Sequence, residues 1–167
     1  MEGILGRIVA IVLGLLALAA VGYAAYNGFS NSKASDVATG VTTVVENARA
    51  QFTQSATGYT KFTTANVASL NTAGILPSTW WNGTNAIDPW GNTVAFAAGA
   101  GGTSQGAITF GGGGSETQSQ CVNVAQNLKD YVTLKVGTTT FTTAAPADPV
   151  TAAAACTGAV AFVLTFQ

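Results

Sequence analysis

Few side chains in this sequence could do chemistry. It holds seven acids, six bases and two cysteines, and no histidine. Histidine is the commonest general base and metal ligand, and the side chain that changes charge near neutral pH. Without it, carboxylates, serine or lysine would have to carry any catalysis. Asp88, Glu116, Asp130 and Asp148 stand apart, with no spacing that pairs an acid with a base. Two cysteines without histidine are too few for a zinc site. No catalytic, cofactor-binding or metal-binding residue is assigned, and an enzyme ranks last among the function classes. The six bases scatter from Arg7 to Lys135 and the net charge is −1. That leaves no basic cluster to displace counterions from nucleic acid, so no nucleic-acid site is expected.

The remaining constellations are weak. Asp88-Pro89-Trp90-Gly91, with Trp80 and Trp81 nearby, could form an aromatic sugar site, although a turn packed under a sheet is the favoured reading. Gly111–Gly114 has no following lysine to make a phosphate loop and reads as a flexible turn. Asn82-Gly83-Thr84 has the form of a glycosylation sequon. Cys121 and Cys156 suit one disulfide, closing a loop of about 35 residues worth roughly 3–4 kcal/mol. That would place the chain in an oxidising compartment; two buried free thiols are the alternative.

The elements around these residues are easier to read. Residues 8–26, IVAIVLGLLALAAVGYAAY, carry no charge. As a helix they would cover roughly 28 Å, close to the hydrocarbon thickness of a bilayer. Tyr23 and Tyr26 suit a membrane interface, and Arg7 votes for a cytoplasmic N-terminal side. The run could be a cleaved secretory signal, with small residues near Ala24 and Ala25. It could be a permanent single-span anchor. It could also start in the membrane and later withdraw to pack against its own copies.

The residues beyond Gly28 favour the third reading. Val37, Val41, Val44, Val45, Ala48 and Phe52 recur at spacings of three and four, so the helix continues as an amphipathic one. One helix is expected over 1–54, apolar on every side in 1–28 and striped in 29–54. Gly28 and Gly40 weaken it. Gly6, Gly14 and Gly22 recur every eight residues, where small residues allow close helix approach and could also let the helix melt locally. A carboxylate at Glu2 is costly in an apolar bundle unless paired with Arg7 or a neighbour's N-terminus at Met1. Such a pair would set register.

Residues 55–167 are expected to form an α+β head, with the long helix packed against a C-terminal antiparallel sheet of about four strands. The strand candidates are 93–97, 107–110, 132–136, the TTTFTT run and 159–166, the first two as a hairpin. Ser115, three residues before Gln118, signals a helix start, with Val122, Ala125 and Leu128 on the apolar face. The stretch AAPADPVTAAAAC reads as a loop with one helical turn.

In this order the segments resemble a type IV pilin, in particular the type IVb group of toxin-coregulated, bundle-forming and conjugative thin-pilus pilins. Residues carrying the likeness are Glu2 before the apolar run, the amphipathic continuation, TAGILPSTW, the DPWGN turn, QSQCVNVAQNL and ACTGAVAFVLTF. The family usually has a glutamate at the fifth mature position; here position 5 is Leu5. The resemblance implies a pilin fold and a helical homo-oligomeric filament outside the bacterial cell. Ile8, Ile11, Leu15, Leu18 and Val21 would lie in the filament core. Before assembly the subunit would sit in the inner membrane, be trimmed by a prepilin peptidase, become methylated at its N-terminus and meet the pilus assembly machinery. Cys121 and Cys156 would bound the family's variable D-region. A minor pilin or secretion-system pseudopilin shares this pattern. An anchored or secreted adhesin module is the alternative from another class.

Overall fold

The computed structural model describes residues 2–167, and the side chains of all of these except 2–10, 20, 22–27, 29 and 30. Expectations for Met1, for the side chains of Glu2, Arg7 and Ile8, and for Gly22 lie outside the described residues. Helix α1 spans Glu2–Phe52 and includes both Gly28 and Gly40. The chain divides into two compact units, 1–32 and 33–167. The second half of α1 therefore belongs to the head rather than to a separate helical domain.

The reason is the stripe. Ala34, Val37, Ala38, Val41, Val44, Val45 and Ala48 are all buried in the head's core. Helix α2, Val67–Thr72, follows a pair of 3-10 turns. Two side chains of α1 bind the carbonyls just beyond its end. Asn47 Nδ2 donates to Gly74 O at 3.0 Å and Gln51 Nε2 donates to Ala73 O at 2.8 Å. The carbonyls of α2's own last turn are taken by the backbone N–H groups of Ala73, Gly74 and Ile75.

Five strands make one antiparallel sheet: β1 Ala95–Ala98, β2 Gly106–Gly111, β3 Thr133–Val136, β4 Thr139–Thr142 and β5 Ala161–Phe166. Their order is β1-β2-β5-β3-β4. The last strand thus fills the centre of the sheet, between a hairpin on each side. Its apolar sequence suits that place, because a central strand is covered most completely. The register lines up Phe96, Ile108, Leu164, Leu134 and Phe141 in one buried row across all five strands. Helices α3, Gln118–Asn127, and α4, Pro149–Ala155, lie in the connections leading to β3 and β5.

Two polar contacts fix α1 and the sheet edge. Arg49 donates from Nε to Gln167 O at 2.7 Å and from Nη2 to Asp130 O at 2.6 Å. Its guanidinium lies 5.9 Å from the Phe166 ring centre. A planar fork that donates twice and stacks is a role lysine cannot copy. At the β1 edge, Thr64 Oγ1 accepts from Phe96 N at 2.8 Å and donates to Phe96 O at 3.1 Å. One hydroxyl thereby pairs both backbone groups of an edge residue, which otherwise invites pairing with another chain.

Several sequence expectations need correction. The sheet has five strands, not about four. The helix start sits two residues later than Ser115: Thr117 is the N-cap, in a reciprocal capping box with Gln120. Ser115 is used elsewhere, its hydroxyl donating to Trp90 O at 2.9 Å. The buried apolar face of α3 is Cys121, Val124 and Ala125, with Leu128 buried at the C-cap and Val122 only half-buried. The stretch before Cys156 is a seven-residue helix rather than one turn. Asp148 caps it and Pro149 occupies its first turn, where a missing N–H costs nothing.

Gly40 is explained by packing. A Cβ there would overlap the buried Trp80 indole, with Cζ2, Cε2 and Nε1 all too close. A helix gains up to about 1 kcal/mol from Gly→Ala, but overpacking a rigid ring costs about 1–3 kcal/mol. Gly40→Ala should therefore lower stability by about 1–2 kcal/mol in urea unfolding, whereas the same change at Gly28, with open space around its Cα, should not.

Candidate functional site

The feature that asks for a partner is the apolar part of α1. Ile11, Val12, Leu13, Leu15, Leu16, Leu18 and Val21 are exposed by 49–71%. At about 100° per residue these seven fall on every side of the helix. Ile11, Leu15, Leu18 and Val21 are the residues expected in a filament core from the resemblance; Val12, Leu13 and Leu16 are exposed beside them in the same apolar run. A Cβ on Gly14 would meet nothing within 4 Å, so the helix is narrow and open at that point. Among the described residues no helix is long and apolar enough to cross a membrane.

In the head, Asp88, Glu116 and Asp148 hold backbone N–H groups. Asp88 is buried and accepts four hydrogen bonds. Oδ1 takes Trp90 N at 3.0 Å and Asn92 N at 2.8 Å. Oδ2 takes Gly111 N at 2.9 Å and Asn92 Nδ2 at 3.4 Å. The Asp-Pro-Trp-Gly turn is thereby tied to the end of β2. Glu116 Oε1 accepts from Gly112 N at 2.8 Å, while Oε2 is buried without a partner. Asp130 holds a left-handed backbone, φ 57°, beside the Arg49 contact. Asp148 Oδ1 accepts from Val150 N and Thr151 N. Hydrogen bonds to its charged form, first from the Thr151 side chain, hold its pKa below the ordinary carboxylate value. Burial raises the Tyr59 phenol pKa, with Arg49 partly opposing.

Two of the three tryptophans named for a sugar platform are buried, and Trp81 is half-buried against the core. Trp80 is buried against Gly40, and Trp90 is buried and stacked on Phe162 at 6.2 Å. The DPWG segment is thus a packed turn. The Gly111–Gly114 run supplies positive φ at Gly111, Gly112 and Gly114, where other residues would be strained. Among the described residues no three histidine, cysteine or acidic side chains gather as a metal site. Cys121 in α3 and Cys156 after α4 form a disulfide with Cα atoms 5.8 Å apart. The bond clamps two helices that lie in separate connections of the sheet.

Replacing Asp88 by Asn would put an NH2 where only acceptors fit. It should destabilise the head by about 2 kcal/mol in thermal or urea unfolding. Asp148 gives a pH test. Its native pKa is depressed, so its contribution is present above the unfolded carboxyl pKa and is lost as pH falls through the native one. The stability gap between the parent and Asp148→Ala should hold at neutral pH and shrink only in acid, below about pH 4.

No protein-family model matches the sequence, and no curated protein matches it. Solved structures do. A type IVb pilin from Salmonella typhi superimposes with a TM-score of 0.62 at 20% identity, over 78% of this chain and 97% of that one. TcpA, a type IV pilin from Vibrio cholerae El Tor biotype, gives 0.53 at 16% identity, over 81% and 98%. Over that share of the chain, these superpositions give it the fold of the type IV pilins.

Proposed function

We propose that the chain is the structural subunit of an extracellular type IV pilus, held together by a bundle of its apolar N-terminal helices. The observation that carries this reading is the ring of seven exposed large apolar side chains on α1, joined to a head of pilin fold. Covering one such side chain completely is worth about 1.5–3 kcal/mol. A helix apolar on every side finds that cover only in lipid or among other apolar helices. Repeated head-to-tail contacts of one kind build an open helical polymer and need no catalytic group.

In this account the subunit waits in the inner membrane, with residues 8–26 across the bilayer, before the assembly machinery withdraws it. A prepilin peptidase would trim the N-terminus and methylation would follow. Glu2, with Arg7 or a neighbour's N-terminal amine, would set the register of the bundle. Gly14 and Gly22 would let neighbouring helices approach closely or melt locally. Adhesion, motility and conjugation are all roles such a filament could serve.

Electron microscopy of sheared cell-surface material, with mass spectrometry of the N-terminus, tests the proposal. Thin fibres containing this chain, with the apolar segment intact, are expected. A discrete extracellular particle lacking residues 1–28 would overturn it. Leu18→Asp, on the exposed run, should abolish fibres while leaving the unfolding transition of the head unchanged.

A further inference from the structure

We infer that Asn82 is a self-modification site, where the side chain cyclises onto the backbone of Gly83 and opens to aspartate or isoaspartate. Asn82-Gly83-Thr84-Asn85 forms an exposed four-residue tip, closed by the Trp81–Ala86 bridge and by Asn82 N donating to Asn85 O at 3.2 Å. Two features of this tip favour the reaction. Asn82 Oδ1 accepts from Thr84 N at 2.9 Å and from Asn85 N at 2.8 Å. Negative charge develops on that oxygen when the side-chain carbonyl is attacked, and fixed donors at such a position lower the barrier. The attacking atom is also open. Gly83 has no side chain to shield its nitrogen, its φ is 99°, and its N–H donates no hydrogen bond among the described residues.

The step balances without any oxidant, reductant or cofactor. Gly83 N loses its proton and bonds to Asn82 Cγ. The Cγ–Nδ2 bond breaks and Nδ2 leaves as ammonia with that proton. Water then opens the five-membered imide at either carbonyl. The net change is loss of ammonia, gain of water and one new negative charge, on a chain whose formal net charge is −1.

The sequence contains its own control. Asn27-Gly28 is the same dipeptide, but it lies inside α1, where an amide N–H is bonded to the carbonyl four residues back. Full-length protein in detergent would be incubated at pH 8 and at pH 6, folded and in urea, and both peptides mapped by mass spectrometry. In urea the two sites should convert at similar rates. In the folded protein Asn82 should outpace Asn27 by about tenfold or more, and faster at pH 8. The margin is set below the 10²–10³ of a water-excluded oxyanion donor because this tip is exposed. Conversion of Asn82 slower in the folded protein than in urea would overturn the inference, as would a glycan found on Asn82 in native material. Asn82→Gln, which would have to close a larger ring, should remove the product without altering the unfolding transition.

Discussion

One helix in this protein has to live in two surroundings. In residues 33–52, α1 shows a core a single stripe of valines and alanines and shows water its threonines and acids. In residues 11–21 it shows the same large apolar surface in every direction. The head's buried apolar residues are committed to its own interior, and the large apolar side chains of residues 11–21 stay exposed. The demand for an external cover is therefore written into the covalent sequence, and every functional reading has to meet it.

The head answers a different requirement, that of a rigid body attached to a helix. Its central strand is the last of the five in sequence order and pairs on both sides, so the sheet is incomplete without β5. The Cys121–Cys156 bond then joins the helices on the two flanking connections. Arg49 links α1 to the backbone at the end of β5 and to the approach to β3. Asp88 does the same for the turn region, by giving one carboxylate four donors. These polar ties are each worth a few kcal/mol at most, but they connect segments far apart in sequence. Asp88, Trp80 and Trp90, which first suggest a sugar site, are taken up by the scaffold.

The legible part of the fold is local. Spacings of three and four mark α1, and β-favouring runs between turn residues mark the strands. Errors arise where local signals tie. Ser115-x-x-Gln118 and Thr117-x-x-Gln120 are equally good capping patterns, and only the contact of Ser115 with Trp90 decides between them. An alanine run such as 152–155 has no polar and apolar faces to reveal a helix, so pattern alone makes α4 too short. The place of β5 in the sheet, the Gly40–Trp80 contact and the Arg49 clamp depend on tertiary pairing, for which one sequence carries no periodic signal. Of the candidate site, the apolar surface is legible as a run of residue types. The open tip at Asn82 is legible only as a motif, and its hydrogen bonds give that motif its chemistry.

The proposed filament is tested most directly by what covers the apolar surface of α1 in native material. A cysteine at Leu15 could be challenged with a water-soluble maleimide in extracellular material and again after dissociation in urea. Strong protection in the native material, lost on dissociation into single chains, is the predicted result. Labelling at the same rate before and after dissociation would mean that these side chains have no neighbours to shelter them, and would contradict the central claim.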